Sequence, residues 1–195
     1  MSGGTMFLVR HGETEFNLVR RYQGWLDSPL TERGVAQARA IGRRLAEMPE
    51  AAAAGIVASP TGRARRTAEL IRAELGGDAG IDFDERLREI SIGSWDGLDR
   101  AEIATRVPGI FDGDGRWEWY FQTPDGETYD GFAGRIADWL AAIAGRDAIV
   151  VTHGIVTRVL RGLYAGLPRA VALRLPVPQD RFYRLADGRI DEIAL

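Results

Sequence analysis

The sequence contains two histidines, His11 and His153, and each is followed directly by glycine. His11 sits in Arg10-His11-Gly12 at the end of a short apolar run, Thr5 to Val9. His153 sits in Thr152-His153-Gly154 at the end of another, Ala148 to Val151. A third run, Gly55 to Ala58, stops at Ser59-Pro60 and is followed by Arg63. Ligands of open parallel sheets bind beyond the carboxyl ends of the strands. If these runs are strands, two imidazoles and two arginines converge on one point, and that set suits a dianionic, tetrahedral phosphoryl group. Arginine forks make bidentate, charge-assisted bonds to phosphate oxygens and stay charged at any working pH. Gly12 and Gly154 allow close backbone approach, and a following helix adds its positive N-terminal end. A histidine can also attack phosphorus itself. It attacks only when neutral, so neighbouring arginines help by disfavouring its protonation. Either histidine taken alone reads equally well as a satisfied, partly buried imidazole.

The elements that must hold these residues are short. Thr31 is placed to cap a helix with Val35, Ala38, Ile41 and Leu45 at helical spacing, ending near Pro49. After Ser59-Pro60, the residues Ala64, Thr67, Ala68, Ile71 and Leu75 predict a second amphipathic helix, closed by Gly76-Gly77. Ile81 to Phe83 is a weaker strand. Residues from about Leu98 to Tyr129 are irregular and rich in glycine and proline. A helix near Phe132 to Ile143 and another from Ile155 to about Tyr164 flank the strand at Ala148 to Val151. Val171 to Leu175, Phe182 to Leu185 and Ile190 to Ala194 read as closing strands. Apolar strands alternating with amphipathic helices imply an α/β fold in three layers, with a mostly parallel sheet covered on both faces.

Composition removes competing chemistries. The chain has 195 residues, the size of one domain, and no cysteine, so disulfides, thiolate metal sites and cysteine nucleophiles are excluded. All 25 basic residues are arginine, which rules out a Walker lysine, a kinase lysine and a Schiff base. Much of that arginine content reads as a base-composition bias. None of the five serines lies in a Gly-x-Ser-x-Gly elbow. No histidine spacing suits a metal, and no metal or other cofactor is expected. A net charge of −3 offers no field for nucleic acid. No apolar run approaches a membrane span, and Met1 to Thr5 is too short and uncharged for a signal peptide. A cytoplasmic protein, monomer or homodimer, is expected, with a small-molecule partner and neither nucleic acid nor membrane.

A longer set of residues carries a resemblance. Leu8-Val9-Arg10-His11-Gly12-Glu13-Thr14 with Asn17, then Gln23-Gly24-Trp25 and Asp27-Ser28-Pro29-Leu30-Thr31, resembles the signature of the histidine phosphatase superfamily, the phosphoglycerate-mutase-like enzymes. The likeness continues in order through Ser59-Pro60 with Arg63-Ala64 and Thr67-Ala68, Leu87 with Glu89, Gly93 with Trp95-Asp96-Gly97, Gly126-Glu127-Thr128 and Thr152-His153-Gly154. It implies a phosphoglycerate-mutase-like fold over residues 1–195, with a small cap insertion at about 105–129. It further implies that His11 becomes a phosphohistidine and that Arg10, Arg63 and His153 bind the phosphoryl oxygens. Glu89 would protonate the leaving alcohol. Asn17, the Gln23-Gly24 backbone and Gly154 would line the phosphate or substrate. Without the resemblance, Glu89 would pass for a solvated charge among Asp82, Asp84, Glu85, Arg86 and Arg88. Glu127 has two readings, a carboxylate at a helix start or a residue near the site.

The same phosphohistidine can pass its group to water or to a second hydroxyl. The mutase branch resembles longer chains with a lysine-bearing substrate site, and this chain has no lysine. The expected activity is therefore metal-independent hydrolysis of a phosphomonoester. A cofactor-dependent phosphoglycerate mutase is the alternative, and a non-catalytic phosphate-dependent binding protein is the second. Sugar phosphates, phosphoglycerates, nucleotide-like phosphates and phosphopeptides all stay open as substrates. The rings of Trp117, Trp119, Tyr120 and Phe121 are placed either to touch a leaving group or to pack the cap onto the body.

Overall fold

The computed structural model describes residues 4–76 and 80–195. Strand β1 (Met6–Arg10) leads through a single turn, α1 (Glu15–Leu18), to α2 (Glu32–Ala46). Thr31 caps α2 as its position predicts, its hydroxyl accepting the Gly34 amide. Then come α3 (Pro49–Ala52), β2 (Gly55–Ala58), α4 (Gly62–Leu75) and β3 (Ile81–Phe83). After α5 (Arg100–Arg106) and several 3-10 turns, α6 (Tyr129–Ile143) precedes β4 (Ala148–Thr152) and α7 (Gly154–Tyr164). The chain ends with α8 (Arg169–Ala172) and a hairpin, β5 (Arg181–Ala186) and β6 (Arg189–Ala194).

The six strands form one sheet in the order β3-β2-β4-β1-β5-β6. Pairing is parallel from β3 to β1 and antiparallel at β5 and β6. Side chains alternate between faces, as strand geometry requires. Phe7, Val9, Ile149 and Val151 pack against Ile41, Leu45, Ala68 and Ile71 of α2 and α4. Leu8, Val57 and Val150 pack on the opposite face with Phe132, Ile136, Val156 and Val159 of α6 and α7. Every residue of β4 is buried, which is why its sequence is an unbroken apolar run rather than an alternating one. The fold is the three-layer α/β arrangement that the pattern implies. Among the described residues, no helix is long and apolar enough to cross a membrane.

Register does the positioning. Arg10 of β1 lies opposite Thr152 of β4, and the His11 amide donates to the Thr152 carbonyl at 2.9 Å. The residue after each strand is therefore a histidine, and the two are neighbours. The Ser59 amide donates to the Val151 carbonyl at 2.9 Å, bringing the end of β2 to the same place.

One expected strand is absent. Val171 to Leu175 forms α8 and the turn after it. Pro168 supplies an extended entry residue, and Ala172 and Leu173 bury themselves against α7 instead of a sheet edge. Pro176 and Pro178, which have no amide hydrogen, separate that turn from β5. The one-turn helices α1 and α3 lack enough residues to show a period, and α6 begins earlier than Phe132, at Tyr129 behind its Thr128 cap. Gly76 ends α4 with φ +72°, while Gly77 and Met1–Gly3 lie outside the described residues. Trp119 is buried among Tyr22, Trp95 and Phe111, so the segment at 105–129 packs into the same core as α6 and α7.

Candidate active site

Beyond the carboxyl ends of β1 and β4 lies a cavity of about 130 Å³. Arg10, His11, Asn17, Gln23, Gly24, Arg63, Glu89 and Gly154 line it, together with residues that form its outer wall. His153 is fully buried beneath, its ring edge-on to His11 with centroids 5.2 Å apart. All of the sequence-derived candidates thus come together, although His153 does so from behind.

His11 is held in one tautomer. Its Nδ1 lies 2.8 Å from the Gly12 carbonyl, an oxygen that can only accept, so Nδ1 carries the proton and Nε2 is bare in the neutral ring. The ring is neutral because burial, then Arg63 and Arg10, press its pKa well below the ordinary imidazole value. Burial and Arg63 press His153 down likewise, and its Nε2 lies 2.8 Å from the Ser59 hydroxyl and 3.3 Å from that of Thr61.

The arginines are fixed along their outer edges. Arg63 donates through Nη1 to the Leu26 carbonyl (2.7 Å) and the Asp27 carboxylate (3.1 Å), and through Nη2 to the Gly24 carbonyl (2.9 Å). Arg10 donates through Nη1 to the Val177 carbonyl. Among the described residues the Nε of each has no partner, and neither does Nδ1 of His153. Buried polar groups are almost always paired, so two unpaired guanidinium N–H groups and an unpaired ring nitrogen at one site suit an anion's oxygens. Burial pulls both guanidinium pKa values down, yet arginine keeps its charge.

Glu89 projects from the irregular segment that follows β3, between the 3-10 turns Glu85–Leu87 and Gly93–Trp95. Its carboxylate accepts the Ile90 amide at 3.0 Å and the Ile155 amide, from the first turn of α7, at 3.2 Å. This changes the expected role of the helix end: its amide meets the glutamate. Gly12 differs too, since its amide donates to Thr67 Oγ1 at 3.1 Å. Glycine is required there because the Gly34 carbonyl occupies the space a Cβ would need. Gly154 does face the cavity, where a Cβ would contact Arg10, Glu89 and Val177. Gln23 braces the loop, bonding Thr14 and Ser28 through its amide. Gly24 has φ +50°, and its missing Cβ makes room for Asp96.

One contributor, Gln179, carries no motif that sequence reading could use. Gln179 donates to the His11 carbonyl and to Asn17 Oδ1, both at 3.1 Å. It ends a strap, residues 175–179, whose carbonyls at Leu175, Pro176 and Val177 are held by Arg158, Arg161 and Arg10 respectively. Tyr120 lines the cavity, and burial pushes its phenol pKa up. Trp119 beside it is core, and Trp117 and Phe121 pack against that core. Arg21 reaches the cavity but is engaged twice by Glu102. Glu127 does not line the cavity; it pairs with Arg135. Among the described residues, no three His, Asp or Glu side chains group as a metal site.

The neutral imidazoles have a measurable consequence. Below about pH 6.5 the unfolded chain protonates both histidines while the folded chain refuses the protons. The unfolded state then binds more protons, so stability falls as pH falls, by up to about 1.4 kcal/mol per pH unit for each histidine. Urea unfolding between pH 6.5 and 5.5 should show this slope, and His11→Asn should remove about half of it. A flat profile would mean that the folded protein already carries charged imidazoles.

A family description, "Histidine phosphatase superfamily (branch 1)", matches residues 6–186. The chain belongs to this superfamily. Among its superfamily relatives is the Citrobacter koseri protein named "Probable phosphoglycerate mutase GpmB", 38% identical over 87% of this chain and 79% of the relative. Among solved superfamily structures, Bacillus stearothermophilus YhfR superposes with a TM-score of 0.82 at 33% identity, covering 98% of this chain and 96% of that one. A mycobacterial glucosyl-3-phosphoglycerate phosphatase solved with VO3 gives 0.76 at 28% identity, covering 98% and 97%.

Proposed function

We propose that this protein hydrolyses a phosphomonoester through a phosphohistidine at His11. The observation that carries the reading is the Nδ1 contact with Gly12, which leaves Nε2 unprotonated close to the guanidinium groups of Arg10 and Arg63. Nε2 attacks phosphorus and the P–O ester bond breaks. The electron pair stays on the leaving oxygen, which takes a proton from the carboxyl group of Glu89. The unpaired Nε atoms of Arg10 and Arg63 donate to the non-bridging oxygens, and His153 adds Nδ1–H when the Ser59 hydroxyl donates to its Nε2. Water then attacks phosphorus, the N–P bond breaks, and Glu89 takes the water's proton, releasing inorganic phosphate. Asn17, Gln23, Gly24 and Gly154 shape the space around the ester.

The named mutase relative supports a second reading, transfer to another hydroxyl of a phosphoglycerate. That reaction must hold a second anionic group in the same site. Of the described cavity-lining residues, Arg21 is the one further cation, and Glu102 already occupies it. The rest of the outer wall is Tyr22, Ile90, Ile92, Tyr120, Ile155 and Val177. This wall favours hydrolysis, as does the phosphatase among the structural neighbours.

The test is an initial-rate panel of phosphomonoesters in excess EDTA, including p-nitrophenyl phosphate and 3-phosphoglycerate primed with 2,3-bisphosphoglycerate. Phosphate release should continue in chelator and exceed phosphoglycerate interconversion at least about 10-fold, since arginines supply the charge stabilisation. Efficient interconversion with little phosphate released would restore the mutase. Activity restored to chelated protein by one metal would overturn the metal-free route.

A further inference from the structure

We propose that Arg135 and Glu127 are positioning residues that aim Glu89 at the leaving oxygen. The inference rests on Glu89 being the proton donor. Glu89 lies between two 3-10 turns, Glu85–Leu87 and Gly93–Trp95, in a stretch with no regular structure of its own. Something outside that stretch must fix it. Arg135, in the middle of α6, does so through all five of its N–H groups. Nη1 donates to the carbonyls of Arg86 (2.6 Å) and Arg88 (2.8 Å), and Nη2 to that of Glu89 (3.1 Å). Nε and Nη2 also grip the two oxygens of Glu127, at 2.8 and 3.0 Å.

Glu127 completes the hold from the other side. Its carboxylate accepts the Ser91 amide at 2.9 Å, and its own amide donates to the Ser91 carbonyl at 2.9 Å. One ion pair therefore grips the backbone on both sides of the acid. It ties that backbone to a helix whose Phe132, Ile136 and Trp139 are buried in the core. Neither residue lines the cavity, so neither touches substrate. A point-charge ammonium cannot reproduce this fork, so lysine at 135 would keep the Glu127 pair and lose most of the carbonyl contacts. A misplacement of about 1 Å in a reacting group costs about 100-fold.

The experiment compares kcat/KM for a simple alkyl phosphate and for p-nitrophenyl phosphate in wild type, Arg135→Lys, Glu89→Gln and the double variant. A mispositioned acid hurts only the poor leaving group. Arg135→Lys should therefore lower the alkyl-to-aryl ratio at least about 10-fold, and should lower it no further in the Glu89→Gln background. Glu127→Gln should shift the ratio in the same direction and serves if Arg135→Lys fails to fold. Equal losses on both substrates, or an additive loss in the double variant, would show general structural support and overturn the proposal. If Glu89→Gln shifts the ratio but both clamp variants do not, the clamp alone is wrong. If Glu89→Gln leaves the ratio unchanged, the assignment of Glu89 is wrong and the clamp proposal fails with it.

Discussion

Turnover by the His11→Ala protein is expected to fall by at least about 10⁴-fold, with the fold retained. Without the imidazole there is no nitrogen to accept the phosphoryl group, and the arginines alone offer binding and charge stabilisation. The structural loss is local: the ring's hydrogen bond from Nδ1 to the Gly12 carbonyl and its packing against His153. A lost buried hydrogen bond costs about 1–3 kcal/mol, which a domain of this size tolerates. The geometry also names the atom. Because Nδ1 is committed to a carbonyl, quenched wild-type reactions should contain an acid-labile, base-stable adduct on Nε2 of His11. An adduct on Nδ1 would contradict the tautomer, and one on His153 would reverse the roles of the two histidines.

The second large effect belongs to Glu89→Gln. The variant keeps the shape and removes the transferable proton. An alkyl phosphate expels a strongly basic alkoxide, whereas p-nitrophenolate leaves without help. General acids contribute about 10²–10⁴-fold, so kcat/KM for the alkyl ester should fall by that order while the aryl ester changes far less. The comparison needs kcat/KM or single-turnover phosphorylation of His11, because slow dephosphorylation can mask the difference in kcat. Equal losses would make Glu89 a binding or structural residue. No loss on either ester would move the search to Asp96, a half-buried carboxyl whose pKa burial raises.

Much of this architecture is legible from residue order because the strands are short, apolar and end abruptly at the groups that matter. Arg10 and Thr152 end neighbouring parallel strands in register, so His11 and His153 meet without any long-range information beyond strand order. Val171 to Leu175 misleads because a four-residue helix packed on α7 has the same apolar content as an edge strand. Arg135 and Gln179 carry ordinary surface residue types, and their partners lie 46 and 168 positions away. Only packing brings them to the site. Glu89 is intermediate, since its charged neighbourhood hides it and only the resemblance singles it out.

The strap at 175–179 has a consequence for how the protein is made. Chains are synthesised from the N-terminus and begin to fold as they emerge. His11 appears early, but the groups that hold its carbonyl and fix Arg10 come from Gln179 and Val177, 168 and 167 positions later. A nascent chain that already carries both histidines, Glu89 and the parallel core still lacks the roof that orients Arg10. The pocket is therefore completed only once residue 179 has been made, well after the four parallel strands that support it. A ribosome-stalled chain ending before residue 175 would be expected to bind phosphate poorly whatever secondary structure it had gained.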